Sequence, residues 1–146
     1  STLLRVLAGE IKAGELRIDG KDACKMGCAE LAEKRAWLEQ QPTCAWDLAV
    51  HEVVQLGGGD AGAALAQVGM SAFHDRNIHQ LSGGEQRMVH VARCLAQLGA
   101  PMGKILLLDE PDSGLDENRR ARLDEVVRAF AAAGGGVILA THRVGE

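Results

Sequence analysis

The run Ile105-Leu106-Leu107-Leu108, closed by Asp109-Glu110-Pro111, most narrows the folds open to this chain. Four apolar residues without alternation describe a strand buried on both faces, the habit of parallel sheets covered by helices. Such a strand delivers its two terminal acids to the rim of the sheet, where Pro111 stops the ladder. Val137-Ile138-Leu139-Ala140, followed by Thr141-His142, is expected to be another buried strand. A further candidate, Arg35 to Glu39, ends at Gln40, Gln41 and Pro42.

Helices alternate with these strands. Met88, Val91, Ala92, Leu95 and Ala96 form one face of a helix over 85–98. Leu123, Val126, Val127, Phe130 and Ala131 do the same over 117–132, which the glycines 134–136 stop. Earlier in the chain, 1–8 reads as a helix closed by Gly9, 14–20 as a short exposed strand turning at Asp19-Gly20, and 29–34 as a short helix. Helices over 49–56 and 61–68, split by Gly57-Gly58-Gly59-Asp60, make 45–81 a small helical insert between core segments 1–44 and 82–146. The implied class is α/β, a mostly parallel sheet flanked by helices. Ligands of such sheets bind at the carboxyl ends of the strands, where Gln40, Asp109, Glu110 and His142 fall.

Composition closes several routes. Sixteen basic and twenty acidic side chains give a net charge of -4 with no basic block, so no nucleic-acid partner is expected. No apolar run approaches the roughly 20 residues that cross a bilayer, so the chain is expected to be soluble by itself. Cys24, Cys28, Cys44 and Cys94 form no C-x-x-C pair and no histidines stand at zinc-finger spacing, which favours reduced thiols, with Cys94 in packing. The charges Arg119, Arg120, Arg122, Asp124, Glu125 and Arg128 read as a solvated helix face.

Leu81-Ser82-Gly83-Gly84-Glu85-Gln86 sets a glycine pair at a helix opening, where unpaired backbone N–H groups and the positive helix end favour an anion. Anion site plus strand-end carboxylates suggests phosphoryl chemistry. Each piece alone has a plainer reading: a loop-to-helix junction, a strand end, a turn histidine, and for Asp116 a helix N-cap.

Together, in this order, they resemble the ATP-binding cassette (ABC) ATPases. Residues 81–86 look like the family's signature motif, 105–111 like its Walker B strand with the catalytic glutamate, and Ser113-Gly114-Leu115-Asp116 like its D-loop. His142 is similar to the switch histidine and Gln40 to the Q-loop glutamine, although spacing leaves Gln41 open. Ser1-Thr2-Leu3-Leu4 resembles the end of the G-x-x-x-x-G-K-[ST] phosphate loop, whose glycines and lysine are absent from this sequence. The resemblance therefore implies a P-loop NTPase-like fold whose first strands are missing, with apolar sheet edges left open.

It also implies roles. Glu110 would be the general base and His142 a donor to the γ-phosphate, both catalytic. Ser1, Thr2, Gln40, Ser82, Gly83, Gly84, Glu85 and Asp116 would contact ATP, and Ser1, Gln40 and Asp109 would hold Mg2+. Met88 occupies a position where the family usually carries arginine, with Arg87 beside it as a possible substitute, and Asp112 adds a carboxylate near Glu110. The implied partners are a second ATPase subunit, head to tail, and transmembrane permease subunits that hold the protein at the cytoplasmic face of the inner membrane. The short insert and 35–40 look most like importers of vitamin B12, ferric siderophores and haem. A non-transport ABC ATPase and a non-catalytic ABC fragment are the alternatives.

Overall fold

The computed structural model describes residues 1–12 and 14–142. Helix α1 (Thr2–Ala8) starts at the N-cap Ser1, whose hydroxyl accepts from the Leu4 amide, and ends at Gly9 in the left-handed conformation. A hairpin of β1 (Arg17–Ile18) and β2 (Lys21–Asp22) turns through Asp19 and Gly20, both at positive φ. That is the backbone a two-residue turn needs to match strand twist. Ile18 is buried, so the segment expected to be exposed anchors one side chain inside. Helix α2 (Cys28–Lys34) leads into β3 (Arg35–Leu38).

Then come α3 (Val50–Gln55), α4 (Ala61–Gln67), α5 (Gly83–Leu98), β4 (Ile105–Asp109), α6 (Glu117–Ala132) and β5 (Gly136–Ala140). The three longer strands form a parallel sheet in the order β3-β4-β5, with Leu38 opposite Leu108 and Asp109 opposite Ala140. Successive right-handed crossovers in one direction place α5 and α6 on the same face. Helix α1 packs on β3 and β4.

One hydrophobic cluster unites Ala36 and Leu38 of β3, Leu106 and Leu108 of β4, and Met88, Val91 and Leu95 of α5 with Val53 of α3 and Leu65 of α4. The insert is therefore fastened to the sheet through α5. The glycines that split it permit this: a Cβ at Gly57 would lie 2.4 Å from the Arg93 carbonyl oxygen, and one at Gly59 2.1 Å from that of Ala96. Only a bare backbone can approach a helix that closely. Helix α5 also brackets β3. Gln97 Nε2 donates to the carbonyls of Ala32 and Arg35 at 2.9 Å each. Arg35 in turn donates to the carbonyls of Leu7 and Ala8, satisfying the open C-terminal end of α1.

Strand β5 departs from expectation. Ile138 and Leu139 remain 38% and 46% exposed, so the run is not buried on both faces. It pairs only with β4 and is an edge of the described sheet, which leaves its outer side without a covering element.

Candidate functional site

The tips of β3, β4 and β5 converge on one rim. Asp109, the last residue of β4, is 4% exposed, and its Oδ2 lies 2.6 Å from the Ser1 backbone nitrogen. Two residues far apart in sequence, both expected to hold a metal, are thereby adjacent. Thr2 begins α1 beside them and is exposed.

Glu110 leaves the strand with φ +47°, a left-handed conformation that a non-glycine residue adopts at a cost and that concentrates at functional sites. Its amide still donates to the Ala140 carbonyl at 2.8 Å, so the ladder runs one residue beyond the strand while the chain turns. Glu110 Oε1 then lies 2.6 Å from His142 Nε2. The carboxylate is 20% exposed and the imidazole 90%, so the pair sits at the solvent boundary.

Arg87 ties the rim together. Its Nη1 donates to the Glu110 carbonyl at 3.0 Å and its Nη2 to the Gln40 carbonyl at 2.9 Å. One planar guanidinium thus spans the ends of β3 and β4, a geometry that a single ammonium lacks. Burial lowers the Arg87 pKa, opposed by the nearby charges of Glu110 and Asp112. The Asp112 carboxylate accepts from the Thr141 hydroxyl at 3.3 Å. Met88, one residue on, is fully buried in the core, and Arg87 is the α5 arginine that reaches the rim.

The glycine-pair residues form a second group. Ser82 caps α5 reciprocally: its hydroxyl accepts from the Glu85 amide at 3.2 Å, and Glu85 Oε2 accepts from the Ser82 amide at 2.9 Å. Glu85 Oε1 accepts from Arg119 Nη2 at 2.8 Å, and Arg119 Nη1 also bonds Asp116. Asp116 caps α6, and the Arg119 amide and guanidinium hold its carboxyl below the usual range. Arg119 therefore leaves the solvated face that its sequence context suggested. So does Arg120, which donates to the Leu115 carbonyl at 3.1 Å, while Arg122 and Glu125 pair in the open. The missed signal was local: Arg119 stands three residues after an N-cap acid.

The two glycines differ. A Cβ at Gly84 would lie 2.7 Å from the Gly114 carbonyl oxygen, so packing inside this chain excludes a side chain there. At Gly83 a Cβ would meet nothing within 4 Å. The open space above Gly83, at the positive end of a helix, suits an anion arriving from outside the chain. On the rim, a serine hydroxyl and carboxylate oxygens make an all-oxygen donor set, which fits Mg2+.

Comparison with known proteins agrees with this architecture. The family model described as ABC transporter matches residues 1–113. Hemin import ATP-binding protein HmuV of Roseobacter denitrificans is 41% identical over 97% of this chain and 60% of its own length. HmuV of Rhizobium meliloti is 38% identical over 97% of this chain and 61% of its own. The chain thus spans about 60% of the length of these relatives. Among solved structures, a dimer described as MJ0796, a bacterial ABC transporter cassette, superposes with TM-score 0.80 at 26% identity, covering 97% of this chain and 69% of that one. The P-loop NTPase-like α/β fold, the ordered motifs and these likenesses converge, and the chain belongs to the ABC transporter family.

Proposed function

We propose that this chain is the greater part of the ATP-binding and hydrolysing subunit of a membrane importer, with haem as the candidate cargo. The observation that carries the reading is the Glu110–His142 pair at 2.6 Å, set at the tip of a buried strand beside Asp109. The name hemin import ATP-binding protein, borne by relatives about 40% identical, supports the cargo.

Phosphoryl transfer asks a protein for charge neutralisation and a positioned nucleophile. Ser1 and Asp109 would hold Mg2+, with Gln40 at the same rim. The ion would neutralise charge developing on the phosphates. Glu110 would accept the proton of the attacking water, a role worth about 10²–10⁴-fold. His142, already bonded to Glu110, would keep that carboxylate aimed and offer its imidazole to the γ-phosphate. Ser82, Gly83 and Gly84 would meet the nucleotide of a second subunit placed head to tail, with Glu85 and Asp116 ordering the two helix starts. Thr2 would add its hydroxyl on the chain's own side. Residues 45–81 would serve as the arm that meets a permease, which would hold the subunit at the cytoplasmic face of the inner membrane. Among the described residues no helix is long and apolar enough to cross a membrane.

The test is Glu110→Gln in the full protein. ATP binding and ATP-dependent dimerisation are expected to persist while turnover falls at least a hundredfold. Undiminished hydrolysis would remove Glu110 from the role of base.

A further inference from the structure

Arg119 on α6 bridges two helix starts whose side-chain bonds run as one chain. Glu85 Oε2 accepts from the Ser82 amide at 2.9 Å, leaving Oε1 to accept from Arg119 Nη2 at 2.8 Å, across 34 positions of sequence. Arg119 Nη1 donates to Asp116 Oδ2, and Asp116 Oδ1 accepts from the Arg119 amide at 2.8 Å. The link therefore runs unbroken from Ser82, before α5, to the first turn of α6. We propose that Arg119 is a positioning residue for ATP hydrolysis, which holds the glycine pair of α5 and the 113–116 loop as one unit facing the second subunit's nucleotide. The proposal rests on the ATPase reading above.

Packing alone leaves the two segments free to shift. Their backbones touch at Gly84 and Gly114, where a Cβ on Gly84 would lie 2.7 Å from the Gly114 carbonyl oxygen. Such a contact is held by dispersion, which has little direction, so one segment can slide or tilt on the other. Charge-assisted hydrogen bonds fix direction as well as distance, and the planar guanidinium fork meets two carboxylates at once. The Arg119 and Glu85 side chains are 29% and 20% exposed, so solvent screens them less than an open pair. Arg122 and Glu125, further along α6, are 46% and 66% exposed and make the ordinary surface pair that contributes little. The α5 cap does not depend on Arg119, because Ser82 and Glu85 satisfy each other's amides. Loss of Arg119 therefore loosens the relation between the segments and leaves each one folded. Catalysis is sensitive to that relation, since a misplacement of about 1 Å can cost roughly 10²-fold in rate.

The experiment compares Arg119→Met, Arg119→Lys, Glu85→Gln and the double variant Arg119→Met with Glu85→Gln, all in the full protein. Arg119→Met is expected to keep the ATP affinity of the monomer within about twofold while kcat falls at least about tenfold. Arg119→Lys carries the charge without the fork, so it should recover only part of that loss. Glu85→Gln keeps an acceptor for the Ser82 amide and removes the carboxylate oxygen that Arg119 meets. It cuts the same link, so the double variant should stay within about twofold of Arg119→Met. Hydrogen exchange of the nucleotide-free protein reads the link without any turnover: peptides covering 83–88 and 114–120 should both exchange at least about threefold faster in Arg119→Met. Wild-type kcat in Arg119→Met, full recovery by Arg119→Lys, losses that multiply in the double variant, or unchanged exchange in both peptides would each overturn the proposal. A wild-type protein that does not hydrolyse ATP would instead refute the ATPase reading, and the exchange rates would still decide whether Arg119 joins the two segments.

Discussion

Adjacent glycines at the start of α5 should respond oppositely to the same substitution. At Gly84 an alanine Cβ would sit 2.7 Å from the Gly114 carbonyl oxygen and 3.4 Å from Leu115 Cδ2. An ordinary carbon-to-carbonyl contact is about 3.3–3.6 Å, so the 113–115 backbone must retreat by more than half an ångström. Overpacking of that size costs about 1–3 kcal/mol, from which the better helix propensity of alanine removes about 0.5–1 kcal/mol. Gly84→Ala should therefore destabilise by about 0.5–2 kcal/mol. Gly83→Ala meets nothing within 4 Å and keeps only the favourable part, so it should be neutral or stabilising by up to about 1 kcal/mol. Urea unfolding of both variants in the full protein reads the difference. With a slope of about 2 kcal/mol/M, the two midpoints should separate by roughly 0.25–1.5 M. If Gly83 is open because a nucleotide approaches it, Gly83→Ala should also lose at least tenfold in ATP turnover while remaining folded. Equal midpoints, or a Gly83 variant less stable than the Gly84 variant, would refute the packing argument.

Arg87→Met should cost about 2 kcal/mol in urea unfolding, because two charge-assisted bonds to the Gln40 and Glu110 carbonyls vanish while desolvation of a half-buried cation is relieved. The same variant should lower ATPase turnover, since the tips of β3 and β4 lose their common tie. His90 is 2% exposed with neither ring nitrogen partnered, and burial first, then the charges of Arg93 and Arg87, push its pKa from 6.5 down to about 4. Because the folded value is the lower one, the unfolded chain takes the proton first as pH falls. The stability is full above about pH 6.5 and is lost toward pH 4, by roughly 3 kcal/mol. His90→Leu should shrink the pH 7 to pH 4 difference by about that amount in parallel denaturation series, and an unchanged difference would exclude His90 as its source. Burial raises the Cys94 thiol to about 11, so iodoacetamide near neutral pH should label the exposed Cys24 and Cys28 while sparing Cys94 until unfolding, as read by peptide mass spectrometry.

Local sequence determined the elements and their chemistry. The helices and the three strands of the parallel sheet placed by apolar spacing are present within one or two residues, because burial on a strand or a helix stripe leaves a period of its own, whereas the strand expected over 14–20 shrinks to Arg17–Ile18. The caps at Ser82 and Asp116, and the arrival of Asp109 and Glu110 at a strand tip, follow from the same short-range rules. What needed the tertiary structure were relations between segments that share no period. The joining of Gln40 to Glu110 through Arg87 depends on how α5 crosses the sheet. The exposed outer side of β5 depends on which strand occupies the edge, since Val137-Ile138-Leu139-Ala140 has the composition of an interior strand. The same holds for Arg119, whose charge pattern is that of a wet helix until α6 is set beside the start of α5, and for His51 and His74, which stack only because α3 and the 71–76 segment fold back on each other. The glycine pair shows the division most sharply. Sequence marks both residues alike as a helix opening, and only the passage of the Gly114 backbone separates Gly84, small because its own chain fills the space, from Gly83, small with the space left open.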